Sequence, residues 1–518
     1  MKKALSLVLC ALMLVSVTAF AASAVSYDQP FDAGTLNSER YRIPALYTLN
    51  DGSVIAGADM RWNHGSDSPN NIDITVAISK NGYTDWEYNV INHLDDYADG
   101  ETATDSASYI DSAIVQSKET GRIFVLADIY PSGGGWQPSG AETGFITVDG
   151  ESCLLLTTGN NNDKIDSFGY YLKGGVVYNK ADKTKTEYTV DEEFRLYKNG
   201  QPLMMDQKGS EGVEVQQNVF YNDAELCCYL TAYLCLRYSD DNGKTWSAPQ
   251  LISSQVKQEG ETFIGAAPGR GTVINYNGKE RIIFCVYDNT GLGFAHDPIF
   301  ENASTIYSDD NGVTWHRGAE TEVSLGIQKT SESQIVVIGE QEGNPVLRMY
   351  ARNGSNYIAY ADSYDGGHSW TKFVRDEALQ GTKNCMYSFI NTSKVIDGKK
   401  VILCSAGSNL DSRADGVIRV GLINESDYSV EWITKYRINQ GFYAYSCLTE
   451  LADGNFGILY EDEAAHIQYM IFSVDEDGKV SEINGENFEG TIKLTFWQKF
   501  VKFFKDLFNN ILAFFGMI

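Results

Sequence analysis

Histidine is scarce, six residues in 518. That weakens any scheme built on a histidine base or a His-ligated metal. Cys-x-x-Cys pairs are missing as well, so a zinc ligand set is not expected. Long helical periods are missing from about residue 25 to 490. Positive charge is short too: 41 Lys and Arg face 69 Asp and Glu, a formal net charge of −28. A chain this acidic repels nucleic acid and anionic membrane, so no nucleic-acid partner is expected. It also repels any anionic substrate unless a local cluster of cations captures it.

What is present begins with a leader-like segment. Met1-Lys-Lys precedes an apolar run from Ala4 to Phe20 and then Ala22-Ser-Ala24, the pattern of a secretory signal. Cleavage is expected after Ala24, with Ala21 as the alternative. The reading is a protein that is secreted or held at the cell surface. Cysteines 153, 227, 228, 235, 285, 385, 404 and 447 stand mostly in apolar strand-like runs, which predicts buried free thiols rather than a disulfide framework.

From Val25 onward, runs of four to eight Val, Ile, Tyr, Phe and Thr alternate with Gly/Asn/Asp/Ser turns, the texture of an all-β chain. An internal repeat sets the architecture. Tyr238-Ser-Asp-Asp241-Asn-Gly243-Lys-Thr245-Trp246 recurs as Tyr307-Ser-Asp-Asp310-Asn-Gly312-Val-Thr314-Trp315 and as Ser363-Tyr-Asp365-Gly-Gly367-His-Ser369-Trp370. A degenerate copy runs Ser79-Lys-Asn81-Gly-Tyr-Thr-Asp-Trp86. Asp and Gly close a hairpin turn, Ser and Thr bond to its backbone, and Trp packs beneath. The carboxylate series of an EF-hand is not there, so calcium is not expected.

Two stretches interrupt this rhythm. Residues 148–220 read as polar hairpins that either wall the substrate groove or decorate the outside. Residues 491–518 carry apolar residues at helical spacing, with Lys499, Lys502 and Lys505 on the polar side. That amphipathic helix either docks on the protein or associates, through 496–515, with a surface or membrane. The expected organisation is a leader (1–24), an all-β repeat region in two parts (25–147 and 221–490), a β-rich insert between the parts (148–220) and the C-terminal helix (491–518).

Several separated motifs carry chemistry. Arg42-Ile-Pro stands near the start, with the residue before Pro expected to be extended and a strand expected over Ala45–Leu49. Arg61 and Asp67 follow, Asp67 in a Gly/Ser/Pro/Asn loop. Further on are Tyr109-Ile-Asp111, Ser331-Glu332-Ser-Gln, Met349-Tyr-Ala-Arg352-Asn, Ser408-Asn-Leu-Asp-Ser-Arg413 and Phe442-Tyr-Ala-Tyr445-Ser.

In this order the motifs resemble those of bacterial exo-sialidases, glycoside hydrolase family 33, over nearly all of the chain before the tail. The repeats resemble the Asp-boxes of the same proteins. The resemblance implies a six-bladed β-propeller built from 25–147 and 221–490, with the 148–220 insert between blades and with structural boxes. It implies a retaining exo-sialidase acting on sialylated glycans, glycoproteins or glycolipids, with no cofactor and no metal. Arg42, Arg352 and Arg413 are then the groups for the sugar carboxylate, since arginine's planar fork pairs with both oxygens. Tyr445 is the nucleophile, Glu332 its base and Asp67 the general acid. Arg61 and Asp111 are expected on the sugar-hydroxyl side. The sugar's own carboxylate explains a phenol as nucleophile: a second unit charge about 4 Å away costs on the order of 4 kcal/mol at an effective dielectric of about 20. Arg348 competes with Arg352, and Tyr443 with Tyr445. Asn409-Leu410 stands where Asn-Pro is usual. A trans-sialidase, including one that closes the sugar on itself, stays open, with Trp136 as an aromatic platform that excludes water. A sialic-acid lectin is the remaining alternative, and it needs no nucleophile.

Overall fold

Uninterrupted apolar runs here form strands buried on both faces. Val54–Arg61 and Ile123–Tyr130 are buried at every residue. The outermost strands alternate instead, as Ser429–Arg437 does residue by residue between exposed and half-buried, the pattern of a sheet edge in water. A computed structural model describes residues 27–483 apart from 63, 137–139, 290–300, 328 and 464. Residues 28–480 form one compact unit. The leader and the expected helix at 491–518 lie outside the described residues.

Six sheets make six blades. Blade 1 runs through strands Tyr41–Thr48, Val54–Arg61, Ile72–Ser79 and Glu87–Asn92, in sequence order. Blade 2 begins with Ser108–Gln116 and Ile123–Tyr130, blade 3 spans 264–317, and blades 4, 5 and 6 begin at Thr330, Ser388 and Ser446. Blades 1 and 6 meet through side chains. Gln29 donates to the Tyr469 carbonyl and accepts from its N–H, Thr48 meets Thr449, and Arg42 grips Glu461.

The boxes sit between the third and fourth strands of blades 1 to 4. In the three full copies the Ser hydroxyl donates to the Asp carboxylate at 2.8, 2.8 and 2.9 Å. The box glycine's N–H donates to the same hydroxyl at 2.8, 2.9 and 2.9 Å. Each of these glycines, at φ 80°, 83° and 84°, lies against the preceding blade. A Cβ on Gly312 would stand 2.4 Å from the Phe124 ring, one on Gly243 2.2 Å from Ile78. The box is therefore a turn that also seats one blade on the last. All eight described cysteines are free and buried.

Two expectations are corrected. The insert is not between blades. Tyr233–Ser239 pairs with Ile123–Tyr130 from Tyr233↔Ile129 to Ser239↔Ile123, so the chain leaves blade 2 and returns to it. The excursion is also longer than 148–220: its eight-stranded sheet begins at Phe145 and ends at Cys228. The first strand starts at Tyr41, not Ala45, and Ile43 before Pro44 is not extended. Its φ is 55°, and the register shifts between Arg42 and Ala45. A β-branched residue in that region is strained, at about 1–3 kcal/mol. The buried Glu461 carboxylate holds it there by accepting the Ile43 N–H at 3.0 Å.

Candidate active site

A cavity of about 300 Å³ opens where the inner strands converge, lined on its floor by Tyr445, Glu332 and Arg352. Tyr445 follows the buried Tyr443 and Ala444 and stands immediately before the first strand of blade 6. Its hydroxyl donates to Glu332 Oε1 at 2.6 Å and accepts from Arg352 Nη1 at 2.8 Å. The same Arg352 nitrogen reaches Glu332 Oε2 at 2.7 Å. Burial drives the phenol's pKa well above 10, Arg352 pulls it down and Glu332 pushes it up. The phenol is thus neutral at rest, with its proton aimed at a carboxylate.

The other two arginines flank the same ring. The Arg413 guanidinium carbon lies 5.4 Å and that of Arg42 5.7 Å from the Tyr445 centroid. Arg42 donates to Glu461 through Nε at 3.0 Å, Arg413 to the Asn384 carbonyl at 3.0 Å. The buried Nε of Arg352 has no partner among the described residues. Strands of blades 1 and 4 carry Arg42 and Arg352, a loop of blade 5 carries Arg413, and together they surround the Tyr445 phenol just ahead of the first strand of blade 6.

Asp67 enters from the loop after the second strand of blade 1. Its side chain is 67% exposed and touches Arg61 Nη1 at 2.7 Å and Arg42 Nη1 at 3.1 Å. Crowding against protein raises its pKa, but Arg61 and then Arg42 outweigh this and hold the carboxyl below its ordinary value. Asp111 lines the cavity from a bulge, at φ 63°. Burial, with Asp59 and Asp128 nearby, pushes its pKa well up.

The BNR repeat-like domain family matches residues 215–458. The anhydrosialidase of Macrobdella decora is 34% identical over 501 residues, covering 88% of this chain and 63% of that protein. Sialidase B of Streptococcus pneumoniae is 30% identical over 463 residues, 83% of this chain and again 63% of its relative. The solved intramolecular trans-sialidase from Ruminococcus gnavus, in complex with oseltamivir carboxylate, superposes with a TM-score of 0.77 at 32% identity, covering 89% of this chain and 99% of that one. The chain belongs to the sialidases of glycoside hydrolase family 33 type. It spans 63% of the length of the leech and pneumococcal relatives.

Within this sialidase-family fold the competing residues separate cleanly. Arg348 forms a two-pronged ion pair with Asp362 at 2.7 and 2.8 Å and lies over the Tyr360 ring, away from the cavity. Tyr443 is wholly buried, bonded to Ser405 and stacked on Tyr460. One expected contact is corrected. Arg61 does not line the cavity: it is fully buried, and its terminal nitrogens go to Asp59 at 2.9 Å, to Asp67 and to the Gly65 carbonyl. It backs Asp67 instead of facing a ligand. No residue of the insert lines the cavity among the described residues, whereas Trp136, just before it, does.

Sequence reasoning passed over Glu461, Asp59, Asp128, Glu301 and Lys329. A signal existed for three of them. Asp59 in Ala-Gly-Ala-Asp-Met, Asp128 in Val-Leu-Ala-Asp-Ile and Glu461 after Ile-Leu-Tyr are carboxylates inside apolar strands, where a charge is buried only with partners. Burial raises Asp59 to about 7 against the pull of Arg61.

Proposed function

We propose that this chain is a retaining exo-sialidase, releasing terminal α-linked sialic acid from glycans through a covalent intermediate on Tyr445. The observation that carries it is the Tyr445 hydroxyl held between Glu332 and Arg352, with Arg42 and Arg413 beside the ring. The sugar carboxylate pairs with the three arginines, each charge-assisted bond contributing about 1.5–3 kcal/mol. Its negative charge offsets their pull on Asp67, whose pKa then rises toward that of a usable acid. The Tyr445 oxygen bonds to the anomeric carbon as its proton passes to Glu332. The bond to the leaving oxygen breaks, and Asp67 protonates that oxygen. Arg352 stabilises the oxygen charge that develops on the phenol. In the second step a hydroxyl loses its proton to Asp67 and attacks the anomeric carbon, and the phenolate recovers its proton from Glu332. Two successive displacements, each inverting the anomeric carbon, give net retention.

Which hydroxyl attacks is the finer question, and internal closure is the reading favoured here. Trp136 stands on the cavity wall on the Asp67 side. The neighbouring Gly135 packs so tightly that a Cβ there would lie 2.5 Å from the Ser68 carbonyl oxygen. That aromatic wall narrows the approach of bulk water to the intermediate. The leech and Ruminococcus relatives, named for anhydro and intramolecular chemistry, support the same outcome. Proton NMR of an α-sialoside under turnover tests both levels. An anhydro sugar as first product is expected. Free sugar appearing first as the α-anomer would leave retention standing and remove internal closure, and a β-anomer as first product would overturn both.

A further inference from the structure

Three non-glycine residues on the cavity wall sit at left-handed φ: Ile43 at 55°, Asp111 at 63° and Lys329 at 41°. Such strain persists where the surroundings impose it, and it clusters at ligand sites. Ile43 and Asp111 belong to the machinery described above. Lys329 does not, and neither does its partner Glu301, 3.3 Å away. Apart from Asp67, Asp111, Glu332 and Arg352, this pair supplies the only charged side chains of the described cavity lining.

The two come from neighbouring blades. Glu301 immediately precedes a strand of blade 3, and Lys329 precedes the first strand of blade 4, with the Thr330 N–H donating to the Glu301 carbonyl at 2.9 Å. Both side chains are mostly buried, 19% exposed for Lys329 and 9% for Glu301. Among the described residues their side chains make one contact, with each other, against the three donors of an ammonium and about four acceptor sites of a carboxylate. Groups of opposite charge in a half-buried wall suit a ligand that both donates and accepts. A vicinal diol does this, its two hydroxyls donating to one carboxylate and accepting from one ammonium.

On the reading above, the sugar's carboxylate, anomeric carbon and leaving oxygen are engaged by the arginines, Tyr445 and Asp67. Asp111 on blade 2 takes the ring-hydroxyl side. Of the sugar's remaining polar parts, the N-acyl amide and the polyhydroxylated side chain, only the side chain carries the vicinal hydroxyls that this pair suits, and Glu301 and Lys329 are the charged groups of the described lining left without a part in the chemistry. We propose that Glu301 and Lys329 form the subsite for that side chain and set the preference for sugars that carry it intact. The inference rests on the sialoside-cleaving function and names a substrate feature that it leaves open.

The test compares an α-sialoside with the same compound shortened in its side chain by mild periodate oxidation and borohydride reduction. Wild-type protein is expected to prefer the intact sugar in kcat/KM by about tenfold or more, since a site built to bond hydroxyls discriminates against their loss. Glu301→Gln and Lys329→Met are each expected to bring that ratio close to one, mainly through KM for the intact sugar. A wild-type ratio near one, or variants that keep the wild-type ratio, would overturn the assignment. Because the wild-type ratio is itself decisive, the test survives a variant that does not fold. Absence of wild-type turnover on both compounds would overturn instead the function on which the assignment rests.

Discussion

The box turns and the cavity use the same residue types to opposite ends. In a box, Asp310 bonds to Ser308, Thr314 and the Thr314 N–H, all within six residues, and the glycine beside them seats one blade on the next. In the cavity, Glu332 bonds to Tyr445 across 113 residues, and Arg42 to Glu461 across 419. The boxes are local, repeated and neutralised by hydroxyls and amides. The site is assembled once, from distant strands, and balanced by arginines. Structure in this molecule is carried by repetition, and chemistry by positions that do not repeat.

Substitutions can break that division in order of size. Tyr445→Phe removes the only phenol oxygen placed between Glu332 and Arg352, and turnover of a natural sialoside should fall about 10³-fold or more with the melting temperature nearly unchanged. Asp67→Ala should cost about 10²–10⁴-fold with a poor leaving group. It should cost much less with an aryl sialoside, whose leaving group needs little protonation, and steady-state kinetics on the two substrates reads the difference. Glu461→Ala tests the seam where both roles meet. It strips a buried partner from Arg42 and from the strained Ile43, so a loss of about 3–5 kcal/mol in denaturant unfolding is expected together with a raised KM.

Gly312→Ala strikes a box alone. With a Cβ 2.4 Å from Phe124 and φ at 83°, about 1–3 kcal/mol of stability should go, while kcat/KM per folded molecule stays at the wild-type value. The smallest effect is one of pH. Asp241 is held down to about 2 by hydrogen bonds from Thr245 and Ser239. A carboxyl whose folded pKa is depressed contributes stability that is present above its unfolded value and lost as pH falls through its folded one. The melting-temperature gap between wild type and Asp241→Asn should therefore be flat above pH of about 5 and close toward pH of about 2. A gap that widens in acid would contradict it.

Much of this was legible in the chain, for a physical reason. Boxes are contiguous, so Ser-x-Asp-x-Gly-x-Thr-Trp states its own hydrogen bonds, and short apolar runs between turn residues state the blades. The matched motifs named Arg42, Asp67, Glu332, Arg352, Arg413 and Tyr445, and all six converge. What stayed hidden was pairing at long range. Nothing near Arg61 says that Asp59 and Asp67 bury it, and Asp128 reads as a lone acid until blade 3 brings the Ala266 N–H to it at 2.8 Å. The return of the chain at Tyr233 to Ile129 was likewise invisible, since an excursion inside a blade and one between blades have the same composition. Ile43 misled for a different reason: holding a residue at such a φ costs about 1–3 kcal/mol, which a hydrogen bond of about 1.5–3 kcal/mol from its N–H to a buried carboxylate can offset.

The most direct measurement is covalent capture. A sialic acid fluorinated at C3, with fluoride as leaving group, slows the second displacement more than the first, so the glycosylated protein accumulates. Intact mass and peptide mapping are expected to show one sugar per chain, attached to Tyr445, and none on Tyr445→Phe. A sugar attached to Glu332 or Asp67, or rapid turnover with no adduct at any time, would contradict the account.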